Sequence, residues 1–390
     1  MKDFFAELME KASDIVIDEM MIRPSSDYVP TNIIGRNEQM SEIVPTLNVV
    51  ERNQAPRHLF LMGPNGTGKT VTIKYILRRL HDYAEFKDIY IVGSTTATPY
   101  TVLKELAEEG GFLRTDKDIS LDDMRRMVSD MLRTMRIPTI IILDECDYFK
   151  PEVFETVLQA LIGNDQAEAP HVCVISIANS VRLISGMQDS KVVSRYVPRN
   201  VEFPPYNEDE LLKILRDREG AFYPGVVDDT VFIECSVYAF RYKNGDARYA
   251  LDLLSESADL ARIHGMKKLQ LKCVKAAEEK LEVDYSLRPI EKLGDKMLDV
   301  FLVIAREPEQ KIKNAFALYN TTMNRLHQKP VKSPTFSTYL SALERRGLIE
   351  RERRGKEGKP GNDWFVKVSD DIDRKEILKA YDVTSLNIRR

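Results

Sequence analysis

The stretch GPNGTGKT at residues 63–70 constrains this chain most, because it matches the spacing G-x-x-x-x-G-K-[ST] completely. The apolar run HLFLM (58–62) precedes it, and TVTIKYILRRL (70–80) follows with apolar residues at helical spacing. A glycine loop between a strand and a helix turns N–H groups and the positive helix end towards an anion. The alternative is a glycine turn that binds nothing. We predict that the phosphates of a nucleotide are bound by Pro64, Asn65, Gly66, Thr67, Gly68, Lys69, Thr70 and Val71.

Short apolar runs alternate with helical patterns through the first two hundred residues. After residue 80 these runs are IYIV (89–92), TIIIL (139–143), HVCVISIA (171–178) and NVEF (200–203). Strands that are apolar throughout are typical of parallel sheets with helices on both faces. We therefore predict an α/β domain. Ligands of such sheets bind at the carboxyl ends of the strands, so the polar residues that follow these runs are candidates for chemistry.

Three polar residues stand at such strand ends. Asp144 and Glu145 follow the run IIIL, and Asn179 follows CVISIA. We predict that Asp144 holds Mg²⁺ together with the Thr70 hydroxyl, while Lys69 reaches the β- and γ-phosphates. Glu145 is expected to polarise the attacking water and Asn179 to orient it. An exposed strand end would also explain the acidic pair taken alone, and a helix cap would explain the asparagine.

After FPPY (203–206) the pattern becomes helical and stays so to about residue 284. Asn207 followed by Glu210 resembles a capping box that opens a helix. We predict a second, all-helical domain here. Arg248 opens a further helix in GDARYALDLL. An arginine on a separate domain is able to sense the nucleotide when the two domains close; the alternative is an ordinary surface charge.

A third unit begins near residue 290, and its charge differs from that of the rest. Residues 311–359 hold twelve Lys and Arg against four acids, a net charge of +8, although the whole chain carries −4. This asymmetry indicates that one part meets a polyanion. Two β-like segments flank the loop RERRGKEGKPGNDW (351–364) and predict a hairpin with a cationic, glycine-rich tip. A solvated charged face is the alternative.

The helix predicted within 333–350 has one apolar face, which carries Phe336, Tyr339, Leu340 and Leu343. We expect Ser333 or Thr335 to cap it. Its opposite face suits entry into a major groove, although an amphipathic surface helix has the same pattern. The residues predicted to bind DNA are Thr335, Ser337, Thr338 and Arg345 on the helix and Arg353, Arg354, Lys356 and Lys359 in the loop.

Other features narrow the class of protein. At 390 residues the chain is long enough for two or three domains, and no apolar run approaches the ~20 residues needed to span a bilayer. The N-terminus lacks the basic head and apolar core of an export signal. The four cysteines form no C-x-x-C pair, so metal sites and disulfides are not expected. These observations predict a cytoplasmic protein without a membrane partner.

Taken together, the phosphate loop, the DE strand, the strand-terminal asparagine and the GDAR helix resemble the layout of AAA+ ATPases. YVPTNIIGRNEQM (28–40) looks like the segment that wraps the adenine in this class. KVVSRYVPRNVEFPPYNEDEL (191–211) is similar to a stretch of the archaeal origin-recognition initiators, and the resemblance covers essentially the whole chain. It implies ATP or ADP with Mg²⁺ as ligands. It also implies base or nucleotide contacts from Val29, Pro30, Ile34, Gly35, Arg36, Tyr206 and Arg248.

The resemblance further implies an AAA+ core, an all-helical lid and a C-terminal winged helix, with limits at 1–26 (N-terminal helical segment), 27–205, 206–285 and 286–390. It implies that duplex DNA at replication origins is the main partner, that a helix near 94–106 contacts DNA, and that the protein associates with the nucleoid. Paralogous initiators and the replicative helicase are further implied partners. The sequence departs from the family at Lys191-Val192, where Arg-Val is usual, and at Arg195, which in related clamp loaders is a finger towards a neighbour's nucleotide.

The mechanism predicted from these parts uses ATP as a conformational ligand that is hydrolysed slowly. The nucleotide lies between core and lid and thereby sets how the DNA-binding module is presented. Two alternatives remain open at this point. One is a DNA-binding regulator with a purely structural nucleotide, and the other is a ring-forming loader in which Arg195 acts across a subunit boundary.

Overall fold

The computed structural model describes residues 15–24, 28–93, 97–111, 119–162, 172–179, 183, 186–187, 190–291, 293–354, 363–369, 372 and 374–381. Side chains are described throughout these ranges except at 190, 191, 283–289, 291 and 376. The chain divides into two compact units, residues 1–274 and 275–390. Among the described helices, none has the length and hydropathy that crossing a membrane requires.

A five-stranded parallel sheet forms the centre of the first unit, with the order β2-β3-β4-β1-β5. Every strand overlaps a run predicted from the sequence: β1 Leu59–Met62, β2 Lys87–Val92, β3 Thr139–Asp144, β4 Val172–Ala178 and β5 Arg199–Glu202. Because β1 lies between β4 and β5, and β3 borders β4, the ends of β1, β3 and β4 meet at one edge of the sheet. The predicted phosphate loop, acidic pair and asparagine follow these three strands.

Helices cover both faces of this sheet, as the apolar strands predict. Alternate residues of each strand enter separate cores: Ile141 and Leu143 lie in one, Ile140 and Ile142 in the other. The helices that lead up to or connect the strands are α2 Asn37–Leu47, α3 Lys69–Leu80, α4 Pro99–Glu109, α5 Leu121–Thr134, α6 Pro151–Ile162 and α7 Ser190–Arg195. The α/β prediction is confirmed.

The region after β5 is all-helical, as predicted. It contains α8 Glu208–Arg216, α9 Asp229–Tyr242, α10 Ala247–Ile263 and α11 Leu271–Glu291. The predicted capping box is present: Glu210 N–H donates to Asn207 Oδ1 and Asn207 N–H donates to Glu210 Oε2, each over 2.9 Å.

The described part of the N-terminal segment belongs to the helical region. Only one turn is helical, α1 Glu19–Ile22. Residues 15–18 are extended instead, because Ile17 N–H donates to Ala221 O over 2.7 Å and Val16 forms a bridge with Phe222. The side chains of Ile15, Val16 and Ile22 are buried. Residues 1–14 and 25–27 lie outside the described residues.

The second unit combines helices with a small antiparallel sheet. In chain order it contains α12 Asp295–Ala305, β6 Gln310–Lys311, α13 Ile312–Arg325, α14 Ser333–Arg345, β7 Ile349–Arg354, β8 Asp363–Val368 and α15 Arg374–Ala380. Strands β7 and β8 form the predicted hairpin, and β8 also pairs with β6. The apolar face of α14 is confirmed, since Phe336, Leu340 and Leu343 are buried. The predicted cap is wrong: Ser333 is already the first helical residue, so Lys332 occupies the N-cap position, and a lysine side chain has no acceptor with which to cap a helix.

Candidate nucleotide-binding site and nucleic-acid interface

The phosphate loop joins β1 to α3 through left-handed glycines. Gly66 has φ 70° and Gly68, which caps α3, has φ 80°. Both positions also exclude a side chain by contact. A Cβ atom on Gly66 would lie 1.7 Å from Asp246 Oδ1, and one on Gly68 would lie 2.3 Å from the Tyr206 hydroxyl. The loop therefore requires glycine both for its backbone shape and for the close approach of the helical region.

Lys69 is buried at the start of α3, and its ammonium points back into the loop. It donates to Gly63 O over 2.6 Å, to Pro64 O over 2.7 Å and to Asn179 Oδ1 over 3.2 Å. Burial lowers the pKa of Lys69 to about 8. Nearby carboxylates oppose that shift, whereas the positive charge of Arg248 adds to it. Lys69 thus contacts Asn179 directly and lies near Asp144 and Arg248, which are also predicted catalytic residues.

Asp144 lies at the end of β3 and is the centre of a second group. Its Oδ2 accepts from the Thr70 hydroxyl over 2.7 Å and from the Tyr90 hydroxyl, and its Oδ1 accepts from Glu145 N–H over 2.8 Å. Hydroxyl and carboxylate oxygens are ligands that Mg²⁺ prefers. The residues present therefore fit a Mg²⁺ ion held by Thr70 and Asp144.

Glu145 and Asn179 stand at the same edge of the sheet. Glu145 has a left-handed backbone, φ 53°, and its side chain is exposed. Asn179 is exposed as well, and its backbone N–H donates to the Asp147 carboxylate. Two strand ends thus place the Glu145 carboxylate and the Asn179 amide beside the phosphate loop.

Arg36 is 1% exposed and connects the N-terminal part of the core with the loop. Its guanidinium donates to Thr67 O over 2.9 Å, to Gly35 O over 2.6 Å and to Pro204 O over 2.8 Å. The guanidinium carbon also lies 3.6 Å from the centroid of the Tyr206 ring. The predicted base-binding residues Arg36 and Tyr206 therefore contact each other and hold the loop against the connection to the helical region.

The other residues of the N-terminal candidate set precede Arg36 in the chain. Pro30 is buried, whereas Val29 and Ile34 are partly exposed. Gly35, with φ 69°, lies against Glu210 of α8, since a Cβ there would be 2.6 Å from Glu210 Oε1.

The helical region touches the phosphate loop directly through the start of α10. Ala247 N–H donates to Gly66 O over 3.2 Å. Asp246 caps the helix, since its Oδ1 accepts from Arg248 N–H over 2.7 Å and from Tyr249 N–H over 3.1 Å. The Arg248 side chain is exposed beside the loop. Arg195, the remaining catalytic candidate, ends α7 and is partly exposed.

Sequence reasoning missed two residues of this site. Tyr90 lies in the middle of β2, where it was counted only as an apolar strand residue. No local pattern distinguishes Tyr90 in the sequence. The strand pairing brings it to the site, because Tyr90 pairs with Ile142, two residues before Asp144, across adjacent strands. Asp246 had a clearer signal, because an aspartate before a helix start is a typical N-cap.

The second unit presents the predicted DNA-binding face of α14 to solvent. Thr335, Ser337, Thr338 and Arg345 are all exposed. One side chain of this face is bound within the helix itself, since Arg345 Nε donates to Ser341 O over 3.2 Å.

The hairpin arginines are paired with acids of the same unit. Arg354 makes a bidentate contact with Glu309 at 2.7 and 2.9 Å and also donates to Glu352. Arg351 donates to Glu344 over 2.9 Å. These carboxylates reduce the net positive charge of the strands. Arg353 is exposed in β7, whereas Lys356 and Lys359 lie outside the described residues.

Comparisons with known proteins agree with this arrangement. Residues 32–175 match the AAA ATPase domain, and residues 212–279 match the Cdc6 AAA+ ATPase-type lid domain. The ORC1-type DNA replication protein of Methanothermobacter thermautotrophicus is 31% identical over 361 residues, which cover 90% of this chain and 94% of that protein. The corresponding protein of Desulfurococcus amylolyticus is 30% identical over 388 residues, 95% of this chain and 97% of that protein.

Among solved structures, the Aeropyrum pernix ORC1 protein in complex with DNA is similar, with a TM-score of 0.77 and 26% sequence identity. The match covers 94% of this chain and 97% of that chain. The sequence identity, the two matched domains and the share of the chain that is covered all agree with these relatives. The chain therefore belongs to the family of archaeal ORC1-type (Orc1/Cdc6) AAA+ DNA replication initiators.

Proposed function

We propose that this protein binds ATP or ADP with Mg²⁺, binds duplex DNA at replication origins, and uses ATP binding and slow hydrolysis as a switch for origin recognition and helicase loading. The observation that carries this proposal is the bond between Ala247 of the lid and Gly66 of the phosphate loop. Because lid and loop are in contact, a ligand in the loop acts on the lid as well.

Each residue of the site has a proposed part. Lys69 neutralises phosphate charge, and Thr70 and Asp144 hold Mg²⁺, which supplies charge stabilisation to a phosphoryl group when bound. Glu145 accepts a proton from the attacking water, and the Asn179 amide orients that water. Arg248 completes the site from the lid.

The switch follows from differential affinity. A ligand shifts an equilibrium between two lid positions only by the difference in its affinity for them. Arg248 belongs to the lid and lies near Lys69, so its contact with a γ-phosphate would exist in one position only. Base contacts by Val29, Pro30, Ile34, Gly35, Arg36 and Tyr206 would hold the rest of the nucleotide in both positions.

We assign residues 286–390 as a winged helix that binds DNA. The order of three helices followed by a hairpin supports this assignment, with α14 entering the major groove. Thr335, Ser337, Thr338 and Arg345 would contact base edges or phosphates, and Arg353, Arg354, Lys356 and Lys359 would follow the backbone. The helix α4 after β2 is a further candidate DNA contact. Paralogous initiators and the replicative helicase are the proposed protein partners, at the nucleoid in the cytoplasm.

The test measures binding of origin and random duplexes by fluorescence anisotropy with ATP, ADP and no nucleotide. We expect the wild type to prefer origin DNA and this preference to depend on the nucleotide. Lys69→Ala should lose nucleotide binding and the nucleotide dependence, whereas Glu145→Gln should bind ATP without hydrolysing it. Arg78→Ala, an exposed cation on the same helix as Lys69, is the matched control.

Equal binding of origin and random DNA in all three nucleotide states would overturn the proposal. Rapid DNA-stimulated hydrolysis that requires Arg195 in trans would favour a ring-forming loader instead. A negligible hydrolysis rate with nucleotide-independent site preference would favour a DNA-binding regulator.

A further inference from the structure

Trp364 is the only tryptophan of the chain, and it is 47% exposed. It lies in β8 on the same face as Val366 and Val368, because alternate residues of a strand share a face. Both valines are buried in the core of the second unit. The indole is therefore the outermost member of an inward-facing row, and it projects beyond the core that its neighbours help to build.

The exposed indole borders a cavity of about 410 Å³. The cavity is lined by Ser337 and Leu340 of α14 and, together with Trp364, by Lys311, Ile312, Lys313, Arg351 and Asp363. Cavities of this size accept small organic ligands. Ser337 belongs to the α14 face that we propose to contact DNA, so the cavity opens beside that face.

The charges around the cavity favour an anionic ligand. Its lining contains three cationic side chains and one acidic side chain, Asp363. Lys311 is bound to Asp363 over 2.8 Å, and Arg351 is bound to Glu344. Lys313 is exposed, and among the described residues it makes no ion pair or hydrogen bond. Its ammonium is thus available to an incoming anion.

An aromatic platform beside available positive charge is the combination that binds an unstacked nucleotide. The base stacks on the ring, and the backbone phosphate is held by the cation. We propose that this cavity binds one nucleotide of DNA whose base has left the helical stack, with the base on Trp364 and the phosphate at Lys313. The inference rests on the proposed DNA binding by this unit and adds a preference for unpaired bases.

Fully paired DNA does not offer the same ligand. In an intact duplex the faces of the bases are covered by their neighbours, and only edges are accessible in the grooves. A base face becomes available in a single strand, at a bulge, or when a base is extruded. Contact with Trp364 should therefore distinguish such DNA from its paired form, whereas the phosphate contacts of the hairpin should not.

The single tryptophan allows a direct test on the unaltered full-length chain. Three DNAs of one sequence are titrated: a paired duplex, the same duplex with one central bulged adenosine, and one strand alone. Anisotropy of labelled DNA reports binding, and tryptophan emission reports contact with Trp364. We expect bulged and single-stranded DNA to quench the emission at the concentrations at which they bind, and paired duplex to bind without quenching.

Variants supply the second arm of the test. Trp364→Ala should weaken binding of the bulged duplex on the order of tenfold and leave paired duplex unchanged, since stacking is lost. Trp364→Phe should recover part of the difference, and Lys313→Gln should weaken the bulged duplex by a smaller factor. Tyr223→Ala, which removes a similarly exposed ring elsewhere (46%), is the control.

Three results would overturn the inference. Equal quenching by paired duplex would mean that the indole contacts the DNA backbone. Poly-glutamate is titrated as a fourth ligand, and quenching by it would mean that the cavity recognises acidic peptides. Binding of all three DNAs without quenching would show that Trp364 is not in contact. In each case DNA binding by the protein would stand, whereas failure to bind any DNA would refute the proposed function itself.

Discussion

Arg36 stabilises the first unit through contacts that only a guanidinium makes. Its three hydrogen bonds go to backbone oxygens of three separate segments, and its flat face lies on Tyr206. A lysine carries the same charge, but it has neither the forked set of N–H donors nor the flat face of a guanidinium. The residue is therefore part of the framework around the nucleotide as well as a candidate ligand.

We expect Arg36→Lys to lower the free energy of unfolding of the first unit by about 2–3 kcal/mol, from lost charged hydrogen bonds and lost stacking. Urea unfolding followed by circular dichroism measures this, and Arg52→Lys, on an exposed arginine, should change it by less than about 0.5 kcal/mol. Equal effects of the two variants would contradict the assigned role.

His58 predicts a pH dependence at the same scale. Its Nδ1 accepts from Val174 N–H over 3.0 Å, and burial lowers its pKa to about 4. The unfolded chain takes up the proton near pH 6.5, so the folded state loses stability as the pH falls from about 6.5 to about 4. We expect a loss of about 3 kcal/mol that His58→Asn abolishes, because the asparagine Oδ1, which is bonded to Cγ as Nδ1 is, accepts the same bond without titrating. Unfolding free energies at pH 7 and pH 4 provide the measurement; identical losses would refute the prediction.

At the scale of elements, the hairpin of β7 and β8 is rich in cationic side chains, and acidic residues of the same unit partly neutralise their charge. Arg354 is bound by Glu309, which precedes β6, and by Glu352 of β7 itself. In the proposed function, DNA phosphates would therefore replace carboxylates at Arg354. The positive charge of this region was evident from composition, but its pairing depends on how β6 and β8 lie together.

Replacing Arg353, Arg354 and Lys356 by Ala should flatten the dependence of log affinity on log salt by about three units, since each phosphate contact contributes about 0.9. Duplex binding at several salt concentrations measures the slope. Glu309→Gln is the complementary variant, and it should strengthen binding because Arg354 then keeps only the carboxylate of Glu352 as an acidic partner. An unchanged slope in the triple variant would exclude the hairpin as a phosphate clamp.

At the scale of the molecule, the described residues that precede the core sequence are packed on the lid. Residues 15–22 pack on the helical region: Arg262 of α10 donates to Glu19 over 2.9 Å. The core segment that precedes the phosphate loop is thereby attached to the lid at its start. Lid and core of the first unit are linked at both ends of the core sequence, through residues 15–22 and through Tyr206.

This attachment is testable with matched apolar residues. Ile15→Ala and Ile22→Ala remove side chains that are 1% exposed and should each cost about 2–5 kcal/mol. Ile17→Ala and Met20→Ala remove exposed side chains of the same segment and should cost less than about 0.5 kcal/mol. Hydrogen exchange over Ala247–Ile263 should accelerate only in the first pair. Equal exchange in all four variants would mean that the segment does not support the lid.

Much of the architecture could be predicted because its signals are local. The strand before residue 63 and the helix after it follow from apolar periodicity, and the phosphate loop from glycine and lysine spacing. The capping box at Asn207 was read from two residues three positions apart and is present. The cap at Ser333 was predicted from residue type alone and is wrong, because the helix already begins at Ser333 and Lys332 occupies the N-cap position.

The sequence by itself thus determined most strands and helices of the core and lid and predicted where phosphates would bind, since each of these depends on residues close together in the chain. Only the tertiary structure decided that Tyr90 donates to Asp144, that Glu309 binds Arg354, and that Trp364 stands open beside a cavity. These contacts join residues far apart in the chain or arise from how whole elements pack. They are set by strand order, register and helix packing, which local patterns do not encode.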